Sequence, residues 1–218
     1  MTEQQIFNFD TNTTYLEDNF IKDSSNIEIL DYFLKFPNWE NKLINLFGVK
    51  KSGKTFLLHI LKNKKNFFYL NDIEAFEKNF EELFLKKKLI DDNISISENK
   101  LFSLINHFIQ HNKYLVISST IPLTSRIIML KDLKSRLSQF HLLEIKNPSD
   151  NLVYSLILKY FSDNQVNIRK ELIQNIVKKI DRSYPRINTF LSKLNNLSIV
   201  KKKKIDYKLI NQVFDSMV

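Results

Sequence analysis

Residues 43–55 read LINLFGVKKSGKT, and this stretch decides the fold. Leu43 to Phe47 form a short apolar run of the kind that makes a buried strand, and helical spacing follows from Thr55 to about Asn63. Between them, Gly48 to Thr55 match the pattern G-x-x-x-x-G-K-[S/T] in full. Glycines let backbone N–H groups converge on phosphate oxygens, and the start of the following helix adds a favourable partial charge. The stretch therefore predicts a phosphate-binding loop between a strand and a helix.

The composition of the chain supports this interpretation. The 218 residues include only 2 Gly, and both occupy required positions of the motif. Usage is skewed toward Lys, Asn, Ile and Phe, as expected from A/T-rich codons, so most of the lysine content needs no functional explanation. In such a loop Lys54 reaches the β- and γ-phosphates of ATP or ADP and the Thr55 hydroxyl ligates Mg²⁺. The predicted nucleotide-contacting residues of the loop are Gly48, Val49, Lys50, Lys51, Ser52, Gly53, Lys54 and Thr55.

Several classes of protein are disfavoured by composition. The chain has no Cys, which excludes disulfides, and its 4 His are scattered without the spacing of a zinc site. No apolar run approaches the roughly 18 to 20 residues that span a bilayer. The N-terminus MTEQQIFNFD lacks the features of a secretory signal, so we expect a cytoplasmic protein without membrane contact.

The chain predicts an α/β domain followed by a helical one. Apolar runs that alternate with helical patterns indicate a mostly parallel, five-stranded sheet with helices on both faces. After the turn at Asn147-Pro148 only helical spacing remains, which predicts an arm over 1–20, an α/β core over 21–147 and an all-α lid over 148–218. The predicted strands are 43–47, 66–70, 88–91, 114–118 and 142–145; the predicted helices include 72–85, 98–111, 150–163, 169–180, 186–197 and 206–216.

Polar residues follow two of the predicted strands. Asp91 and Asp92 end the run LIDD, where Asp91 is a candidate to hold the Mg²⁺ shell and Asp92 to orient and deprotonate water. An ordinary Asp-Asp-Asn turn is the alternative. Ser118-Ser119-Thr120 follow the strand YLVIS and are candidates to sense the γ-phosphate, or they simply cap the strand. Arg136, in DLKSRL, is either a solvated arginine or a finger that acts on a neighbouring subunit's nucleotide.

Together these pieces resemble the DnaA-related AAA+ proteins, and specifically the Hda type, regulators without the DNA-binding domain of DnaA. The resemblance implies an AAA+ P-loop NTPase core, with Thr120 in the sensor 1 region and Ser135-Arg136 in the arginine motif called box VII. It also implies that Phe20 and Ile21 lie against the adenine base. Departures are Lys50 and Lys51 inside the loop and Thr120 where DnaA proteins tend to have Asp. For the sensor 2 arginine, Arg186, Arg182 and the loss of that group all stay open, since the best register places Pro185 there.

The same resemblance implies a function in replication control. Hda-type proteins act with the DNA-loaded sliding clamp to promote hydrolysis of DnaA-bound ATP and so prevent re-initiation. The partners would be DnaA and the clamp, and hydrolysis by the chain itself would be slow or absent. In this interpretation Arg136 acts in trans on the nucleotide of DnaA. The N-terminal segment resembles the family's clamp-binding peptide at Gln5, Ile6, Phe7 and Phe9.

Two other functions remain compatible with the sequence. One is a self-contained ATPase in which Asp92 activates water. The other is a DnaA-like accessory protein with nonspecific DNA contact, because residues 169–208 carry 12 basic and 3 acidic side chains. Residues 1–40 carry 8 acidic and 2 basic side chains, so the basic end is equally suited to face the acidic arm of a second copy in a homo-oligomer.

Overall fold

The structure is a computed structural model, and it describes residues 15, 17–70, 88–90 and 96–217. The chain divides into two compact units. One unit is Ser24–Lys146, and the other contains Asn147–Val218 together with the described residues before Ser24. The helix expected over 72–85 and the residues Gln5, Ile6, Phe7, Phe9, Asp91 and Asp92 lie outside the described residues.

The first unit alternates strands and helices, as the apolar patterns predict. Its strands are β1 (Leu43–Phe47), β2 (Phe68–Leu70), β3 (Lys88–Ile90), β4 (Leu115–Ser119) and β5 (His141–Glu144). Its described helices are α1 (Ile27–Leu34), α2 (Lys54–Lys65), α3 (Glu98–Gln110) and α4 (Lys131–Leu137). The helix α2 begins at the end of the GKT motif and ends at Asn66, which has a left-handed φ of 53° that asparagine tolerates well.

The five strands form one sheet in the order β2-β3-β4-β1-β5, and every pairing is parallel. In this register Phe47, the last residue of β1, lies opposite Ser119, the last residue of β4. Ile117 of β4 lies opposite Ile90, the last residue of β3. The carboxyl ends of three strands therefore meet at one edge of the sheet, where parallel α/β proteins place their ligands.

The opposite end of the unit is closed by aromatic side chains. Trp39, the single tryptophan, is 7% exposed, and its Nε1 donates to the carbonyl oxygen of Tyr32 at 2.7 Å. Its ring packs on Tyr32, Phe36, Phe67 and Tyr114. Trp39, which precedes the first strand, is thus part of the core packing.

The second unit is helical, with α5 (Asp150–Asp163), α6 (Lys170–Lys179), α7 (Tyr184–Val200) and α8 (Tyr207–Asp215). Ser149 caps α5 by accepting from the backbone N–H of Leu152, and Asp206 caps α8 by accepting from that of Leu209. The apolar faces of the four helices form one cluster around Ile157, Phe161 and Phe190. Within the described residues no helix is long and apolar enough to cross a membrane.

Candidate nucleotide-binding site

The loop between β1 and α2 has the backbone conformation that its glycine motif predicts. Gly53 has a φ of 96°, a left-handed value that costs glycine nothing, and it immediately precedes the helix. Lys51 also has a left-handed φ, 66°, which costs a residue with a Cβ roughly 1 kcal/mol. Such turned residues aim successive backbone N–H groups into one concavity, the arrangement that binds anions.

Gly48 is needed because neighbouring groups leave no room for a side chain. A Cβ at this position would lie 3.1 Å from Ile145 Cβ, from the Ile145 carbonyl oxygen and from Ser52 Oγ. The Gly48 N–H donates to the carbonyl oxygen of Ser119 at 3.1 Å, so the loop starts from a point fixed on β4. The glycine therefore allows the loop to pass close to β5 and β4 at the carboxyl edge of the sheet.

Lys54 is held beneath the loop by the backbone of the loop. The residue is only 8% exposed, and its ammonium donates to the carbonyl oxygens of Gly48 at 2.6 Å and Val49 at 2.9 Å. A buried charge without such acceptors would be strongly unfavourable. The result is a positive charge fixed at the loop, which is suited to complement phosphate oxygens.

Ser52 tests whether the loop fits a phosphate group. Its Oγ is buried and makes no hydrogen bond within the described part of the chain, and the residue is 7% exposed. A buried hydroxyl without a partner costs about 1 to 3 kcal/mol, so its burial calls for an acceptor or donor beyond the described residues. Together with Lys54 and the helix start at α2, the donor set fits phosphate oxygens.

A buried asparagine connects the strand before the loop to the strand with the predicted sensor residues. Asn45 is fully buried, and its Nδ2 donates to the Ile117 carbonyl oxygen at 3.0 Å and to Ser119 Oγ at 2.8 Å. Its Oδ1 accepts from the backbone N–H of Leu123 at 2.9 Å. Ser119 Oγ in turn donates to the carbonyl oxygen of Ile121 at 2.6 Å. These bonds fix the turn after β4 relative to the phosphate loop.

Sequence reasoning missed Asn45. The only signal was a single amide in the middle of the otherwise apolar run LINLF. The sequence also predicted that β4 ends at residue 118, whereas the strand continues through Ser119, and both Ser118 and Ser119 are fully buried.

The predicted site residue Thr120 directly follows β4 and is half-buried. Thr55 lies half-buried in the first turn of α2, where its hydroxyl is suitable for Mg²⁺.

Arg136 lies on a short helix with fixed packing and a fixed start. Leu133 and Leu137 bury one face of α4, and the Glu98 carboxylate accepts from the backbone N–H groups of Met129 and Leu130 at its start. The Arg136 side chain is half-buried. Its guanidinium forms no hydrogen bond or ion pair in the parts of the chain that the structure describes.

The two candidate sensor 2 arginines have different surroundings within the helical unit. Arg182 donates to the carbonyl oxygens of Val177 at 2.7 Å and Ile180 at 2.8 Å, and it pairs with Asp150 at 2.5 Å. Arg186 lies in the first turn of α7 and is 57% exposed at its side chain; it approaches Asp181 at 3.6 Å and the Met217 carbonyl oxygen at 3.4 Å. Arg182 therefore ties α6 to α5, whereas Arg186 has few constraints. Phe20 and Ile21, expected near adenine, are half-buried residues of the same unit.

The fold and the loop define the class of protein: an α/β unit with a P-loop between strand and helix, followed by a helical unit. No protein-family model matches the chain. The chain is 25% identical to the chromosomal replication initiator protein DnaA of Buchnera aphidicola over 237 positions, which cover 94% of this chain. It spans 54% of that relative's length.

Solved structures agree with this fold. Domain III of the Thermotoga maritima replication initiation protein DnaA superposes with a TM-score of 0.72 at 20% identity, covering 94% of this chain and 97% of that one. DnaA bound to AMPPCP and single-stranded DNA gives a TM-score of 0.64 at 18% identity, covering 84% and 65%. The Thermotoga maritima RuvB Holliday junction branch migration motor gives 0.67 at 17% identity, covering 92% and 71%. The chain thus has the fold of DnaA domain III and is similar in sequence to a DnaA.

Proposed function

We propose that this protein is a nucleotide-binding regulator of replication initiation of the Hda type, which promotes hydrolysis of ATP held by a DnaA partner. The single observation that carries the proposal is Arg136. Its guanidinium is half-buried on a helix with fixed packing, and it has no partner in the described parts of its own chain. Such a guanidinium is suited to bind an anionic group on another subunit. The similarity of the chain to DnaA makes a DnaA-type ATP site the natural complement.

Binding of ATP or ADP to the chain itself is supported by the phosphate loop. Lys54 and the backbone from Gly48 to Thr55 would hold the phosphates, and Ser52 Oγ would gain the partner it lacks. A DnaA of the same fold has been solved with AMPPCP, an ATP analogue. Thr55, with Asp91, would hold Mg²⁺, which neutralises phosphate charge when bound. Arg186 is the proposed sensor 2 residue, because the contacts of Arg182 hold the helical unit together.

Arg136 would act by electrostatic stabilisation. The planar guanidinium carries five N–H donors in a fixed fork, which matches the oxygens of a phosphoryl group. An arginine supplied in trans accelerates phosphoryl transfer by a factor on the order of 10³ to 10⁵ in the best cases. The reaction that this protein promotes would then occur in its partner, and its own hydrolysis through Asp92 would be slow.

The clamp contact rests on sequence alone. Gln5, Ile6, Phe7 and Phe9 resemble a clamp-binding peptide and lie outside the described residues. A Gln side chain followed by apolar residues would dock in a hydrophobic cleft of the sliding clamp. In the proposal this docking brings the protein to DNA on which replication has begun.

The test is hydrolysis of DnaA-bound ATP, measured with and without this protein in the presence of nucleotide and clamp loaded on DNA. We expect acceleration by the wild type and its loss with Gln5→Ala and with Arg136→Ala. Arg136→Lys should also fail, because an ammonium keeps the charge but not the fork. Lys131→Ala, on the exposed side of the same helix, should retain the acceleration.

Two results would contradict the proposal. If the protein binds nucleotide but leaves DnaA-bound ATP unaffected, the assignment as a regulator is wrong. If the protein without partners hydrolyses ATP as fast as DnaA does in its presence, and Asp92→Asn abolishes that turnover, the protein is a self-contained ATPase. In both cases the AAA+ fold would stand.

A further inference from the structure

The helical unit carries a surface of lysines that the nucleotide site does not use. This lysine surface consists of Lys179 at the end of α6, Lys201–Lys204 between α7 and α8, and Lys208 on α8. All six are exposed. Lys179 Nζ contacts Asn211 Oδ1 at 3.0 Å and Lys201 Nζ contacts Gln212 Oε1 at 2.5 Å, so the ends of two helices converge on neighbouring residues of a third.

The lysine surface is ordered rather than a loose tail. The backbone N–H of Lys201 donates to the Leu197 carbonyl oxygen at 3.0 Å, and that of Lys203 donates to the Ser198 carbonyl oxygen at 3.1 Å. Lys202 closes the turn with a left-handed φ of 50°. Lys208 lies one turn before Asn211 and Gln212, on the same face of α8. The backbone positions of the six lysines are therefore fixed at the ends of three helices.

No described carboxylate lies within ion-pair distance of these six ammonium groups. The nearby acidic residues are few: Asp206 caps α8, Asp181 pairs with Arg186, and Asp215 ends α8. Glu171 lies at the opposite end of α6 from Lys179, about 12 Å along the helix at 1.5 Å per residue. The six lysines outnumber the nearby carboxylates and repel one another, and an external polyanion would relieve this repulsion.

We propose that the lysine surface binds the sugar-phosphate backbone of duplex DNA without reading its sequence. Duplex DNA carries one negative charge per about 1.7 Å of its axis, a dense line of phosphates that suits a surface of clustered cations. The cations are all lysines, point charges that contact phosphate, and the surface has no arginine fork for a guanine edge. A protein partner is less suited, because protein interfaces are depleted in lysine whereas DNA interfaces are strongly positive.

The test is fluorescence anisotropy of a short labelled duplex of mixed sequence, titrated with the full chain over about 50 to 200 mM salt. The test variant replaces Lys202, Lys203 and Lys204 with Gln, since their side chains make no contact that folding needs. We expect roughly tenfold weaker binding or more, and a salt slope reduced by about 0.9 for each phosphate that the variant no longer neutralises. Replacing the same three residues with Arg should preserve binding.

The matched control removes the same charge from the other unit, with Lys35, Lys62 and Lys131, all exposed, changed to Gln. The inference is overturned if this control weakens binding as much as the test variant, because net charge alone would then explain it. It is also overturned if the duplex does not bind at low salt, or if the lysine surface instead mediates self-association through the acidic N-terminal segment. The measurement needs neither DnaA nor added nucleotide, so its failure leaves the proposed function standing.

Discussion

Two cationic side chains of the α/β unit have opposite surroundings. Lys54 of the phosphate loop is 8% exposed and held by two carbonyl oxygens of its own loop. Arg136 of α4 is half-buried and makes no hydrogen bond or ion pair with the described residues. The loop therefore binds its own lysine through its backbone, whereas α4 offers a charge that no described residue complements. The difference is consistent with a ligand site at Lys54 in this chain and with an action of Arg136 on another molecule.

The first prediction, with the largest expected effect, is that Lys54→Ala weakens nucleotide binding. The variant removes the charge that complements the phosphates, and charge-assisted contacts of this kind are the strongest available to the site. We expect nucleotide affinity to fall by about a hundredfold or more, close to 3 kcal/mol, in isothermal titration calorimetry with ATP and with ADP.

The control for this variant is Lys62→Ala, which removes an exposed lysine near the other end of the same helix. It should leave affinity within a factor of two or so, since a solvated charge at that distance is screened. Equal losses in both variants would show that general charge, and not the placement of Lys54, binds the nucleotide.

The second prediction concerns the support beneath the loop. Asn45→Leu keeps the volume of the side chain but leaves the Leu123 N–H buried without its acceptor and removes two further bonds. We expect the free energy of unfolding of this unit to fall by about 2 kcal/mol. Urea unfolding followed by Trp39 fluorescence measures it, because the single tryptophan lies in this unit. Asn196→Leu, at an exposed position of α7, should leave the transition unchanged.

Asn45 also shows where sequence reasoning stops. The loop could be predicted because its determinants are contiguous: two glycines, a lysine and a threonine at fixed spacing after an apolar run. The bonds of Asn45 to Ser119 Oγ and to the Leu123 N–H join residues 74 and 78 positions apart. No local periodicity encodes such a pairing, and a lone amide in LINLF interrupts the apolar pattern without revealing its purpose. Only the strand order, with β4 beside β1, explains it.

The third prediction separates the two arginines that sequence left open. Arg182→Ala removes donors from two carbonyl oxygens near the end of α6 and breaks the ion pair with Asp150. We expect the helical unit to lose about 1 to 2 kcal/mol, seen by circular dichroism, with the Trp39 transition unaffected. Arg186→Ala should change stability by less than about 0.5 kcal/mol, because exposed pairs contribute little. If the two variants were equally destabilising, neither arginine would be released from structural contacts to act at a nucleotide.

The positions of the two arginines in the sequence could not make this distinction. Both arginines lie in the segment DRSYPR, and the family resemblance places the sensor 2 position between them, at Pro185. The structure distinguishes them because Arg182 precedes α7 and turns back to α6, whereas Arg186 lies within the first turn of α7.

The fourth prediction, with the smallest expected effect, concerns Ser52→Ala. In this variant the free energy of unfolding and the nucleotide affinity should not fall together. Ser52→Ala removes a buried hydroxyl that has no hydrogen-bond partner within the described chain, so the unit should keep or slightly gain stability. Nucleotide affinity should still fall about fivefold, close to 1 kcal/mol, if the hydroxyl bonds a phosphate. Ser119→Ala is the matched contrast: its Oγ accepts from Asn45 and donates to Ile121, so its removal should lower stability in the Trp39 assay. If Ser52→Ala instead lowered stability and left affinity unchanged, the hydroxyl would have a structural role and the loop would be complete without a ligand, in contrast to Arg136.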